Sequence, residues 1–497
     1  MRHFLGARVG SLRPPLPLLA LALTLLAGCK PVGPNYHKPD YTAPAAYKET
    51  GAPSVTAPPA PVDGSWKPAS PSDGMLRGKW WELYNDPQLN QFEDRIATNN
   101  QALRQAVENY LAARDQIAAV RSNLFPNLSL APGITHTHGS TNRPTGSSAT
   151  NTSYNDFSLA GQAGWEPDFW GRVRRNIESA RDISQADSAD IANVDLALHA
   201  ELASDYFQLR GLDSQIQLLK RTVADLERQL DLTQRRLAGG VATQVEVAQS
   251  QTQLETIRAQ LVDLSVARAQ FEHAIGTIAT YNLSEFSIPF SPLDGPLPKI
   301  PTGVPSQLLE RRPDIAAQER LTASANARIG IAIAAYYPTI SLTGSGGFES
   351  THGGTWIQGP SALWSLGAQA TELLFDAGQR HALTSQARHQ YEAQAAAYKN
   401  TIYSAFQDVE DNLSQLRVLD EESVVEQRAV AAAQHSLDLS QNRYKGGVTS
   451  YLEVLTAETA LISNQRTLTD LQARQFAASV QLIRALGGGW DTTQLPK

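Results

Sequence analysis

The sequence predicts a mainly α-helical protein that also carries membrane β-strands: an internally duplicated protomer with two long coiled-coil helical hairpins and four strands. Three observations predict it. The segments 236–247 (RLAGGVATQVEV) and 443–454 (RYKGGVTSYLEV) are one motif repeated 207 residues apart, each a Gly-Gly break inside a long helix-like stretch. Two windows without proline, Asp168 to Ile288 and Ser361 to Leu495, occupy equivalent places in the two copies. Four short segments alternate apolar with small or polar residues.

The amino terminus reads as an export signal. Arg2, Arg8 and Arg13 precede an apolar run, Leu16 to Ala27, that is too short to span a membrane and ends in small residues. The lone cysteine, Cys29, closes Leu26-Ala27-Gly28-Cys29, which resembles a bacterial lipobox and would make Cys29 the lipidated first residue of the mature chain. Lys30 rather than aspartate follows it, which favours the outer membrane. Residues 30–80 hold ten prolines among Gly, Ser, Ala and Thr, the composition of an extended tether. The net charge of −7, with 18% charged residues, provides no basic patch for nucleic acid.

In the first proline-free window, Leu212, Ile216, Leu219, Val223, Leu226, Leu230, Thr233 and Leu237 step alternately by four and three, a heptad seam interrupted only by the threonine. After the tip, Val247, Leu254, Ile257, Leu261, Leu264, Phe271 and Ile275 keep the register, and Leu437, Tyr444, Val454, Leu461, Leu468, Leu471 and Leu482 form a weaker counterpart. A helix from Arg172 to Leu237 would be roughly 100 Å long, whereas the arm Thr243 to Ala279 covers only about 55 Å. The missing length is expected from Pro313 to Tyr336 stacking beyond that arm and, symmetrically, from Pro87 to Leu124 beyond the arm Ser450 to Leu486.

The four strand segments are 127–136, 156–165, 339–348 and 364–371. Each has one apolar and one small, polar face, the pattern of strands between lipid and a wet lumen. Four strands cannot close a transmembrane barrel, because unpaired edges are intolerable in lipid and the smallest barrels use eight. The chain must oligomerise; a dimer would supply eight strands and a trimer twelve.

Together the lipobox, Val32-Gly33-Pro34-Asn35-Tyr36, Trp80-Trp81 leading to Asp86-Pro87-Gln88-Leu89, the segment 308–315 (LLERRPDI) and the two Gly-Gly-Val tips carry a family resemblance. The chain resembles the TolC-like outer membrane factors of tripartite efflux systems, specifically the lipoprotein branch related to nodulation-T proteins and multidrug efflux outer-membrane channels. The resemblance implies a homotrimer, a twelve-stranded outer-membrane β-barrel on a periplasmic α-barrel, conducting passively and needing no cofactor. It implies that the tips, Gly239, Gly240, Val241, Gly446, Gly447 and Val448, meet a periplasmic adaptor coupled to an inner-membrane transporter. It also places Glu246 and Glu453 near the periplasmic entrance as gating candidates. The implied organisation is a signal peptide 1–28, an anchored tether and start of an equatorial region 29–86, a first repeat 87–288, an equatorial linker 289–312, a second repeat 313–490 and a tail 491–497.

The same residues have local roles. Gly239 and Gly446 suit the left-handed residue that ends a helix, and Thr243 with Glu246, like Ser450 with Glu453, reads as a capping box. Arg312-Pro313-Asp314 reads as a helix start, and Gly171 and Gly378 as bends between strand and helix. His136 and His138 share a strand face without a further Cys, His or carboxylate nearby, a poor metal site, so no metal is expected. No nucleophile, acid pair or phosphate loop has informative spacing, which argues against an enzyme. A lipid-anchored coiled-coil scaffold or adaptor is the competing reading; adaptors usually have one hairpin, and this chain has two.

Overall fold

The computed structural model describes residues 30–44, 46–50, 78–139, 153–300, 309–490 and 495. Cys29, the expected signal segment, most of the loop 139–153 and most of the tail lie outside the described residues. Two compact units emerge, one from Met1–Pro39, Leu111–Ser184 and Glu319–Ala396, the other from Asp40–Tyr110, Gln185–Gln318 and Ala397–Lys497.

The chain order is α1 (Pro87–Asn99), α2 (Gln101–Ser122), β1 (Asn127–His138), β2 (Ser153–Trp165), α3 (Arg172–Ala238), α4 (Gln244–Ile278), α5 (Pro313–Ala334), β3 (Thr339–Ser350), β4 (Ala362–Thr371), α6 (Gln379–Lys445) and α7 (Tyr451–Ala485). The two long helices have 67 residues each and their returning arms 35 each, so the duplication is preserved to the residue.

In the first unit the strands form one antiparallel sheet ordered β1-β2-β3-β4, so the two hairpins predicted separately are joined through β2 and β3. The register aligns Leu128, Leu130 and Ile134 with Ala163, Gly161 and Phe157, then Leu342, Gly344 and Phe348 with Ala368, Leu366 and Ala362, all on one face. The opposite face carries Ser129, Gln162, Ser158, Ser341, Thr343, Ser345, Gln369 and Ser365. Because side chains alternate with period two, the register makes one face a hydrocarbon surface and the other a polar one. Leu128 and Leu366 are more than 80% exposed, an arrangement that needs lipid rather than water against it.

Gly171 and Gly378 adopt left-handed backbone, φ +80° and +90°, at the predicted bends. Asp168 and Asp376 follow the same design in both copies, accepting from the first amides of α3 and α6. A strap, Lys30 to Pro39, is sewn to this unit: Val32 N donates to Trp170 O at 3.0 Å, Arg175 donates to the carbonyls of Val32 and Gly33, and Asn326 donates to Pro34 O. A Cβ on Gly33 would lie 2.5 Å from Gly330 Cα, so glycine there sets how closely the strap lies on α5.

In the second unit, Trp80, Leu89, Phe92 and Ile96 pack against Leu202, Tyr206, Phe207, Leu209, Ile275 and Val480. Asp86 caps α1, accepting from Gln88 N and Leu89 N, and also accepts from Tyr206 Oη at 2.6 Å. The expected single helix Pro87–Leu124 is broken at Asn100, whose extended backbone interrupts it and whose Oδ1 caps Ala102 N and Leu103 N. Asn100 Nδ2 also donates to Ile278 O at 2.8 Å, satisfying a terminal carbonyl of α4. Correspondingly, Arg312 donates to Ala485 O at the end of α7. Each helix start therefore meets the returning arm of its own repeat, not of the other as the arm lengths suggested. Length fits either pairing, whereas side-chain capping of terminal carbonyls selects this one.

Candidate functional site

Both tips belong to the second unit and share one backbone design. At the first, Gly239 N, Gly240 N and Val241 N donate to Arg235 O, Leu237 O and Arg236 O at 3.0, 2.9 and 2.9 Å. At the second, Gly446 N, Gly447 N and Val448 N donate to Asn442 O, Tyr444 O and Arg443 O at 3.0, 3.0 and 2.9 Å. This is the hydrogen-bond pattern of a helix closed by a left-handed residue. That residue is the second glycine of each pair, with φ +72° at Gly240 and +74° at Gly447, not Gly239 and Gly446 as the sequence suggested. Each helix runs one residue further than expected, and this moves the left-handed position along by one. Val241 and Val448 are about 70% exposed, leaving an apolar point at the end of each hairpin.

The helices restart differently. Thr243 and Glu246 form a reciprocal capping box, Thr243 N donating to Glu246 Oε2 at 2.7 Å and Glu246 N to Thr243 Oγ1 at 3.3 Å. At the second tip the expected box is absent. The Ser450 side chain caps nothing and Glu453 N donates to Ser450 O, while the Glu453 carboxylate, the other half of the box, is taken by Arg443 Nη1 at 2.9 Å and by the Thr449 hydroxyl. The two glutamates thus do different work: Glu246 is held mainly by its own turn, whereas Glu453 ties α7 back to α6.

The tips also touch one another. Tyr444 Oη donates to Glu246 Oε1 at 3.2 Å, bridging α6 and α4, and the Arg236 guanidinium lies 4.6 Å from the Tyr444 ring centroid. Gln229 Nε2 donates to Tyr451 Oη at 2.9 Å, and the Tyr444 and Tyr451 rings are 5.6 Å apart. Further along the seam Ile462 of α7 inserts among Leu219, Leu226, Leu254 and Ile257 of the first hairpin, while Leu437, Tyr451, Val454 and Leu461 form the second hairpin's own core. Apart from Ile462 and Tyr451, these positions are the heptad residues read from the sequence. The heptad pattern does not reveal that Tyr444 and Tyr451 each reach across to the first hairpin. The signal for them was the imperfect repeat, since 207 residues earlier stand Leu237 and Gln244.

The other candidates fall into structural roles. Arg312 pairs with Asp314 and Asp408, and Pro313 opens α5. His136 and His138 pair across the sheet with Asn155 and Ser153. Among the described residues no group of three or more His, Cys, Asp or Glu is arranged to hold a metal, and no helix is long and apolar enough to cross a membrane.

A family model described as Outer membrane efflux protein matches residues 94–279 and 304–488, one block for each repeat. The chain is 30% identical over 478 residues to the antibiotic efflux pump outer membrane protein ArpC of Pseudomonas putida, covering 95% of this chain and 96% of the relative. Among solved structures, the outer-membrane channel OprN aligns with a TM-score of 0.81 at 28% identity over 92% of this chain and 99% of that one. The Campylobacter jejuni CmeC outer membrane channel shares the fold, with a TM-score of 0.84 at 22% identity, covering 93% of this chain and 96% of that one. These relatives are efflux channels rather than enzymes, and they favour the exit duct over the scaffold or adaptor alternative. With both repeats matched and the duplicated hairpins and four-stranded sheet in place, the chain belongs to the outer membrane efflux protein family, the outer-membrane channels of efflux pumps.

Proposed function

We propose that three copies of this chain close a single twelve-stranded barrel in the outer membrane. Its helices form the periplasmic duct, through which small molecules pass outward without an energy source of its own. The observation that carries this reading is the two-faced sheet, whose outer strands β1 and β4 each leave one edge unpaired among the described residues. An open edge in hydrocarbon is untenable, so neighbouring copies must supply the missing hydrogen bonds. Twelve strands rather than eight leave a passage.

Gly239, Gly240, Val241, Gly446, Gly447 and Val448 serve as the docking points of a periplasmic adaptor, itself coupled to an inner-membrane transporter that supplies the energy. Support comes from two matched turns that expose apolar side chains, Val241 and Val448. Glu246 and Glu453 line the entrance, and the Tyr444–Glu246 bond holds the two hairpins of a protomer together in the closed state. Cys29 carries the lipid; the strap stitched beside Trp170 and Arg175 begins one residue after it, at the junction between strand and helix. The test is conductance of the purified full-length protein in planar bilayers. Discrete ion-conducting pores from a trimeric species are expected, and a folded trimer that never conducts would refute the reading.

A further inference from the structure

Along α7 the seam positions Tyr451, Val454, Glu458 and Leu461 step by three, four and three, so a carboxylate stands where the heptad calls for an apolar side chain. The first copy has Gln251 at the equivalent place. Glu458 is 8% exposed, and its Oε2 is buried without a hydrogen-bond partner. One turn further on is Ile462, the α7 side chain seated in the apolar cluster of α3 and α4.

Among the described residues no cation pairs with this acid. From α3 it meets Asp225, whose charge is already engaged by Arg228. From α4 the neighbouring seam residues are Ser250, Leu254 and Ile257, with Gln253 donating to Thr459, and Glu246 lies towards the tip beyond Tyr451. On α7 itself the titratable neighbour is Tyr451, and the second hairpin's core adds Leu437 and Tyr444 from α6. Burial first, and the Asp225 carboxylate second, push Glu458 up to about 7. A buried carboxyl with one oxygen lacking a partner is tolerated as the neutral acid and is costly as the anion.

We propose that Glu458 is a proton-sensitive gating residue: neutral, it lets the second hairpin lie against the first through Ile462; ionised, it draws water into the seam, separates the hairpins and weakens the Tyr444–Glu246 bond. The passage then opens as the periplasmic side becomes less acidic. The inference rests on reading the tips as a gated entrance. Only two states differing in the burial of one side chain are required, and the bias between them shifts by up to about tenfold per pH unit over the range in which the carboxyl titrates.

The experiment compares single-channel open probability of the full-length protein in planar bilayers between pH 5.5 and 8.5 for wild type and Glu458→Gln. Glutamine keeps the shape and removes the ionisation. The wild type should rise several-fold across neutrality, and Glu458→Gln should stay at the low, acid-side value throughout. Glu458→Gln with the wild-type pH profile overturns the assignment, as does a wild type indifferent to pH; either result leaves the channel itself standing. Failure of every variant to form pores overturns the channel reading on which the switch rests.

Discussion

Tyr444→Phe isolates the contact between hairpins more cleanly than any other single change. It deletes one hydroxyl, the donor to Glu246 Oε1, while the ring stays under the Arg236 guanidinium and beside Tyr451. Glu246 keeps its capping box with Thr243, so the α4 start is undisturbed. A hydrogen bond to a carboxylate contributes about 1.5–3 kcal/mol when shielded, and partial exposure at the tip reduces this to about 1 kcal/mol. If the bond is made only in the closed state, its loss raises the ratio of open to closed channels about fivefold, since about 1.4 kcal/mol corresponds to a factor of ten. The assay is open probability in planar bilayers at fixed pH, with Glu246→Gln as a companion that retains most of the cap and weakens the acceptor. Both variants should shift in the same direction. An unchanged Tyr444→Phe beside a more open Glu246→Gln would show that Glu246 acts through its charge in the passage and not through the bridge.

Three further outcomes are testable, two from the structure and one from the sequence. Gly447→Val and Gly240→Val place a β-branched residue at φ +74° and +72° with no atom within 4 Å of the new Cβ, so the cost is backbone strain of about 1–2 kcal/mol or more per site. The trimer should assemble while adaptor-dependent efflux falls, and unimpaired efflux with both replaced would remove the tips from the docking surface. At the core of the second unit, His199 is buried between Glu93 at 2.5 Å and Asp195 at 3.4 Å and stacks on Trp81. Burial alone would lower its pKa, but the hydrogen bonds to the two carboxylates outweigh it and raise it to about 9. A raised histidine stabilises the fold fully below its unfolded value near 6.5, and that contribution is lost as pH climbs through 9. Melting of the detergent-solubilised protein should therefore drop between pH 6.5 and 9.5, and His199→Gln should flatten that part of the profile. Cys29→Ser should abolish the mass increment of lipid on the mature protein, and an identical mass difference in both forms would refute lipidation there.

Much of the helical body was legible because its determinants are local. The heptad seam of α3 and α4, the Thr243–Glu246 box and the bends at Gly171 and Gly378 all follow from residue type and spacing within a few turns. The break at Asn100 was missed because an asparagine inside a helical pattern signals a cap only when its side chain finds amides to accept from, here Ala102 N and Leu103 N. The box expected at Ser450 is lost for the converse reason, since Arg443 and Thr449 claim the carboxylate that its Glu453 half requires. At Glu458 the signal was present as a charge on a heptad position, but whether such a residue snorkels out or stays buried depends on what faces it.

By itself the sequence determined the duplication, the two hairpins, the four strands with their two faces and the need for further copies, because period, proline placement and edge chemistry are properties of the chain. Only the tertiary structure decided which arm each helix start meets, which glycine turns left-handed, and that Tyr444 and Glu246 join the two hairpins. The arm pairing and the bridge depend on groups 173 to 198 residues apart finding one another, which no local pattern encodes, whereas the left-handed glycine is fixed by where the last turn of each helix closes.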